Sequence, residues 1–419
     1  MHVVIVGAGL IGTCTAWYLR QHGVDVTVIE RADAPGMETS FANAGMLTPS
    51  MADPWNSPGT LRKLIKWLGR EDAPMLLRLH AVPSLSRWGM AFLLNSSEER
   101  FRTNTLKNVA LANYSLDLLR SLRADLSLNY DQMSAGTLRA CRDQASLDHA
   151  AGLAEFLKPH GVEYKVLDRD GVTRAEPALA PVAQRLVGGI HYSGDESGDA
   201  HLFCQALGKA CAAAGVQFLF GQEVTDASRS GDQFILGTAG AKDIHADAVV
   251  LATGSYTPSL ASKVGLRVPV RPVKGYSITV PRGDWRDGPR IPVADDHLHT
   301  AVTPLGDRIR VAGTAEFTGH DAALTPARID NLFSLLEAIY PEFARRLDRP
   351  SAKPWCGFRP MSADGVPILG ATRIPGLFVN TGQGHLGWTM AAGSGKAVAD
   401  SIVGGPPELK IDDYSLARF

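Results

Sequence analysis

Met1-His-Val-Val-Ile-Val-Gly7-Ala-Gly9-Leu-Ile-Gly12 opens the chain, and Val26-Thr-Val-Ile-Glu30 follows shortly after it. Residues 2–6 are apolar and rich in β-branched side chains, the pattern of a strand buried on both faces of a parallel sheet. Three glycines come directly behind. Gly7 permits the tight turn out of the strand, Gly9 lets backbone approach a pyrophosphate, and Gly12 lets the next helix lie close to the sheet. That helix is expected over Thr13 to His22, its first amides and positive dipole end facing the phosphates. A second strand, Val24 to Ile29, ends in Glu30, whose carboxylate can accept hydrogen bonds from both ribose hydroxyls and would repel a 2′-phosphate. A glycine triplet alone is weak evidence, but strand, glycine turn, helix, strand and terminal acid in this order predict a bound dinucleotide. NAD and FAD satisfy the pattern equally well.

The rest of the composition is that of an ordinary globular enzyme. The 419 residues are 45% hydrophobic and carry a formal net charge of -1, which offers no basic surface for nucleic acid. Five cysteines, Cys14, Cys141, Cys204, Cys211 and Cys356, are widely spaced without a CxxC pair. That argues against a disulfide framework or a zinc site and for a reducing compartment. The first strand begins at residue 2, leaving no room for a secretory leader, and no apolar run is long enough to span a bilayer. The expected location is the cytoplasm.

Buried-strand patterns recur at 216–224, 246–252 and 377–380. Together with 2–6 and 24–29 they predict one parallel sheet assembled from distant segments. The fold class is therefore α/β, a Rossmann-like nucleotide-binding domain with an inserted substrate domain built on a mixed or antiparallel sheet plus helices. The boundaries are set at 1–50, 172–266 and 355–419 for the first domain and 51–171 and 267–354 for the second. Helices are expected over 103–123, 147–159, 200–215 with a glycine cap, 326–340 and 391–403. Residues 129–139 read as strand and hairpin, and 267–315 as a β-rich stretch punctuated by proline. Between 60 and 92 the segments Leu61 to Arg70, Pro74 to Leu79 and Leu85 to Leu94 read as short amphipathic helices.

Five motifs in this order carry a resemblance: Val-Gly7-Ala-Gly9-Leu-Ile-Gly12, Glu-Thr-Ser40-Phe-Ala-Asn43-Ala-Gly45, Pro272-Val-Lys-Gly-Tyr276-Ser-Ile, Gly357-Phe-Arg359-Pro-Met-Ser-Ala-Asp-Gly-Val-Pro, and Thr381-Gly-Gln-Gly-His385-Leu-Gly-Trp-Thr-Met. Over nearly the whole chain it resembles the FAD-dependent D-amino-acid oxidase family, and within it the bacterial D-amino-acid dehydrogenase branch of small-subunit type. The resemblance implies FAD, held non-covalently. It places Gly7, Ala8, Gly9, Leu10, Ile11 and Gly12 at the first turn, with Glu30 and Arg31 at the adenosine ribose. Ser40, Asn43, Ala44, Gly45 and Met46 would pass the pyrophosphate and isoalloxazine. Val224 would offer backbone to the adenine, and Thr253 with Gly254 would form a second dinucleotide-side turn. Arg359, Gly384, His385, Gly387, Trp388 and Thr389 would surround the flavin, the last segment opening a helix whose dipole stabilises the reduced anion.

The same resemblance makes Arg359 the group that holds a substrate carboxylate, since a guanidinium fork matches a carboxylate with two parallel hydrogen bonds. The Tyr276 hydroxyl would reach the same carboxylate, His385 would donate to flavin or substrate, and Met46 and Tyr256 would stand in the pocket wall. Arg271 and Lys274 read as solvated basic residues. The implied reaction passes a hydride from Cα of a D-amino acid to flavin N5, and the imino acid then hydrolyses to a 2-oxo acid and ammonia. No catalytic acid, base or metal is required. Electrons would go to a quinone or respiratory chain, and the 60–92 segment, with Arg62, Lys63, Lys66, Arg70, Arg78 and Arg87 beside apolar residues, would touch the inner face of the cell membrane. Four alternatives remain open: oxidation of a cyclic or N-alkyl amino acid such as D-hydroxyproline, proline or sarcosine; a non-catalytic FAD-binding subunit; an NAD-linked dehydrogenase; and a covalent flavin link at Cys356.

Overall fold

A computed structural model of the chain describes residues 1–60, 73–239, 242–285, 287–405 and 408–419. The first strand, His2–Val6, lies between Asp25–Ile29 and Ala248–Leu251 and is parallel to both, with Val3 beside Val26 and Ala248. Gln217–Leu219 and Leu377–Thr381 extend the sheet on either side, again parallel, and Ile368–Ala371 closes one edge as the antiparallel sixth strand. Each of the five sequence-expected strands therefore contributes residues to this sheet. The central strands are largely apolar because both of their faces are covered. Val3, Ile5, Val26, Val28 and Val250 meet the helices Leu10–Gln21, Ala200–Ala213 and Ala391–Val403, whereas Val4, Val6, Val249 and Leu251 meet Phe234, Leu236 and Leu260. The second set belongs to a three-stranded antiparallel sheet, Val224–Ser230, Gln233–Thr238 and Ile244–Ala246, and to helix Thr257–Lys263. The stretch expected as one strand over 216–224 is thus split. Gly221, at φ +68°, turns the chain, and Val224 starts a strand of the other sheet.

A nine-stranded mixed sheet forms the other half, with Lys353–Ser362, Val270–Pro281, Arg308–Phe317 and Thr300–Leu305 as successive antiparallel neighbours. Strand Lys353–Ser362 crosses the division drawn at 355 from the sequence, and helix Arg169–Ala175 crosses the one at 172. One face of the sheet carries Tyr276, Ile278, Val280, Ile309 and Val311 against Leu332, Leu336 and Ile339 of helix Pro326–Ile339. The opposite face is left for the cavity described below.

Two expectations in the 60–92 region need correction or restriction. Met75–Leu77 is not helical but a strand, parallel to Ala315–Phe317. The neighbour Thr300–Leu305 pairs only as far as Gly313, so the end of the Arg308–Phe317 strand has a free edge that Met75–Leu77 fills. Val82–Leu94 is a helix. The expected helix over Leu61 to Arg70 lies outside the described residues. The expected hairpin at 129–139 is a turn, with Asp131 at φ +55°, leading into the single strand Thr137–Cys141. The long helix spans Glu98–Leu126, capped by the Ser97 hydroxyl and closed by Ser127 at φ 49°.

Candidate active site

The first glycine turn forms one end of a cavity of about 1410 Å³. Gly7 has φ +104°, and a Cβ there would lie 2.7 Å from the Ala252 carbonyl oxygen. At Gly12 a Cβ would lie 1.8 Å from the Gly7 carbonyl oxygen, so any side chain would push the helix off the strand. Gly7, Gly9, Leu10 and Ile11 line the cavity, whereas Ala8 and Gly12 lie behind its surface. The Ala8 amide is already engaged, donating to Glu30 Oε2 at 2.7 Å while the Ala32 amide donates to Oε1 at 2.9 Å. Two fixed amides hold the buried Glu30 carboxylate in place, and each oxygen keeps further acceptor capacity towards the cavity. Arg31, paired with Glu38, lays its guanidinium 4.2 Å over the Tyr256 ring. Val224, Thr253 and Gly254 border the same end.

The 39–45 loop forms the middle of the wall and is fastened at both ends of the molecule. On the nucleotide side the Ser40 hydroxyl accepts from the Leu10 amide at 3.1 Å. On the side of the large sheet, Ser277 Oγ donates to the Ala42 carbonyl at 2.6 Å, Arg310 Nη1 to that of Asn43 at 2.8 Å, and Thr303 Oγ1 to that of Ala44 at 2.7 Å. Asn43 Oδ1 accepts from the Gly45 amide, closing a tight turn at φ +70°. Arg310 is almost fully buried, and burial pushes its pKa down to about 10. Met46 follows in a short strand paired with Ser197. The loop's backbone is therefore positioned by groups on both halves of the fold.

Arg359 projects from Lys353–Ser362 into the far end of the cavity. Two glycines beside it, Gly275 on the paired strand and Gly357 on its own, explain why it can. Gly275 lies under the guanidinium, where a Cβ would be 2.2 Å from Nη1, and Gly357 leaves room for the Trp355 ring, 2.1 Å from its own absent Cβ. Nη1 donates to the Thr314 carbonyl at 3.4 Å, and the Trp55 ring centroid is 5.4 Å away, a cation–π distance. Among the described residues no carboxylate pairs with it, and burial alone lowers its pKa to about 10. His385 stacks on Trp55 at 5.3 Å, and burial with the nearby Arg359 charge lowers its pKa to about 4, so its imidazole is neutral near pH 7. Gly384, Gly387 and Trp388 line the cavity around the turn Gly384–Leu386. Thr389 does not line it. Its hydroxyl accepts from the Thr48 amide instead.

Tyr276 departs from its expected role. Tyr276 borders the cavity, but Arg359 shares a face with Val273 and Gly275, so the residue after Gly275 turns its ring to the helix-covered side along with its partner Cys356. Its hydroxyl donates to Glu316 Oε2 at 2.5 Å, and Thr325 Oγ1 lies 3.1 Å away. Cys356 likewise lies behind the sheet, its Sγ 3.2 Å from the Ala322 carbonyl oxygen. Lys274, expected at the surface, is fully buried on that side and donates to the Ala323 carbonyl. Three cavity groups escaped the sequence reading: Trp55, Thr314 and a polar cluster in which Arg139 Nη2 meets Asp296 Oδ2 at 2.5 Å beside Asp53, whose carboxyl is raised by burial. Trp55 sits in a loop without periodicity, and nothing in its neighbours signals it.

Comparison with known proteins agrees with this architecture. Residues 2–401 match the family described as FAD dependent oxidoreductase. A protein named D-amino acid dehydrogenase from Methylobacterium radiotolerans is 44% identical over 420 residues, covering the whole of both chains. The crystal structure of glycine oxidase from Geobacillus kaustophilus is similar at a TM-score of 0.76 and 23% identity, over 100% of this chain and 98% of the other. That of L-proline dehydrogenase from P. horikoshii reaches a TM-score of 0.77 at 17% identity, over 100% and 97%. Likeness at such identities bears on the fold alone. The match along residues 2–401 and the full-length relative together make the chain a member of the FAD dependent oxidoreductase family, an enzyme that uses FAD.

Proposed function

We propose that the chain oxidises D-amino acids to 2-oxo acids and ammonia through FAD bound in this cavity. The observation that carries the substrate side of the reading is Arg359, a half-buried guanidinium at the cavity wall with no carboxylate of the described chain beside it. A charge drawn partly out of water without a partner is costly, and an anionic ligand relieves it. The full-length relatives named D-amino acid dehydrogenase support a D-amino acid as that ligand.

The residues at the other end fit the dinucleotide. Glycines at 7 and 9 leave the turn bare where a side chain would fill it, and Glu30 faces the cavity with acceptors already fixed in position. Bound FAD supplies the electron-pair acceptor that takes the hydride from the substrate Cα. Arg359 holds the carboxylate, and with it the orientation of Cα, which makes the transfer effectively unimolecular. His385, neutral at working pH, adds no second positive charge beside Arg359. The Trp55 ring, its centroid 5.4 Å from the guanidinium, adds a cation–π contact that helps hold Arg359 in place. The imino acid released then takes up water to give the 2-oxo acid and ammonia. Equal amounts of 2-oxo acid, ammonia and two-electron-reduced dye, formed from a D-amino acid by the purified flavoprotein, test the reaction.

A quinone is the acceptor we favour, reached at a lipid surface. No helix of the described residues is long and apolar enough to cross a membrane. Contact is instead supported by Leu79, Met90 and Leu94, exposed at 76%, 64% and 65% on and next to the helix Val82–Leu94, with Arg87 exposed among them. Wild-type protein should co-sediment with anionic vesicles, and the Met90→Glu, Leu94→Glu double variant should not. Equal sedimentation of the two would remove this helix from the interface.

A further inference from the structure

Thr314 stands where the strand Arg308–Phe317 carries one extra residue. Gly275 pairs with Ala315 and Tyr276 with Gly313, so Thr314 is the bulged position between them. Its φ is +60°, a left-handed conformation that a β-branched residue rarely adopts. The residue is 6% exposed, lines the cavity, and buries an Oγ1 that finds no hydrogen-bond partner among the described residues. Its carbonyl oxygen accepts from Arg359 Nη1, so the hydroxyl on the same residue belongs to the immediate surroundings of the guanidinium.

Backbone strain and an unsatisfied buried hydroxyl each work against folding, and a glycine at 314 would remove both at once. The bulge itself does not call for threonine. Both costs therefore fall on one residue at the point where the substrate carboxylate is to be held. We propose that Thr314 Oγ1 is the second recognition group for that carboxylate, donating to one of its oxygens while Arg359 engages the pair. It takes the part expected of the Tyr276 hydroxyl, which the register of the strands carries to the other face. This inference rests on the reading of Arg359 as the carboxylate anchor.

The test uses the FAD-loaded enzyme with Thr314→Val, Thr314→Gly and Thr314→Ser. Propionate, a carboxylate without an amino group, is titrated by the change in flavin absorbance, and KM and kcat are measured with D-alanine. The valine variant keeps shape and strain but loses the hydroxyl. It should weaken propionate and raise KM at least tenfold (about 1.4 kcal/mol) with kcat changed less than about threefold. Serine should stay within about threefold of wild type. Glycine should bind as weakly as valine yet melt at a higher temperature than wild type, which a merely structural threonine would not produce. Unchanged propionate affinity in the valine and glycine variants overturns the proposal, as does a serine variant as weak as valine. If propionate binds through Thr314 but D-alanine fails to reduce the wild-type flavin, the carboxylate assignment stands and the D-amino-acid reading fails.

Discussion

Replacing Arg359 by methionine should weaken the substrate and strengthen the fold. Methionine fills much of the same volume beside Trp55 and over Gly275 but carries no charge. Burial alone holds the guanidinium at about 10, below the ordinary arginine value, and a displacement of that size corresponds to ~3 kcal/mol against the charged form. Water in the cavity screens part of this, so the gain on removing the charge is about 1–2 kcal/mol. A gain of 1 kcal/mol raises Tm by about 2–4 °C in chains of about 150–250 residues, and by less in a longer one. On the substrate side, a two-pronged charge-assisted contact contributes ~3 kcal/mol, so KM for a D-amino acid should rise about 100-fold or more. Steady-state kinetics with an artificial dye and thermal melting followed by flavin release measure both arms on one preparation. An unchanged KM, or a lower Tm with FAD lost, would refute the account of Arg359 as an unpaired anchor.

Gly275→Ala acts on the same group indirectly. Its Cβ would fall 2.2 Å from Arg359 Nη1, so the guanidinium must swing away, and KM should rise by tenfold or more with FAD content unchanged in the absorbance spectrum. Gly12→Ala puts a methyl 1.8 Å from the Gly7 carbonyl oxygen, and the variant should be isolated colourless or should release FAD during gel filtration. For pH, His385 is held at about 4, whereas a histidine in the unfolded chain titrates near 6.5. The unfolded chain therefore takes up the proton first, and the stability tied to the neutral imidazole is complete above about pH 6.5 and is lost as pH falls towards 4. Melting temperatures recorded across that window should fall less steeply for His385→Asn than for wild type.

The parallel sheet was legible because a strand covered on both faces must be apolar throughout, and 2–6, 24–29, 246–252 and 377–380 have that pattern with no competing helical period. Arg359 was legible only through its motif. The turn of the Tyr276 ring to the helix side is not legible, because two strands distant in sequence share a side only for one parity of their register, and nothing local sets the pairing of Val273 with Arg359. Thr314 was hidden for a related reason, since one extra residue in a strand leaves no mark on its composition. Met75–Leu77 reads as helix by its neighbours and is a strand only because a distant strand has an open edge there. Each miss concerns what a segment meets in space, and the hits concern patterns the segment carries within itself.

Anaerobic mixing of the purified flavoprotein with paired D- and L-amino acids tests the central claim most directly, with flavin bleaching as the signal. Wild-type enzyme should bleach with D-enantiomers and not with L, and Arg359→Met at the same concentration should stay yellow while still holding its FAD. Bleaching by the L-enantiomer alone, or equal bleaching of Arg359→Met, would contradict the account.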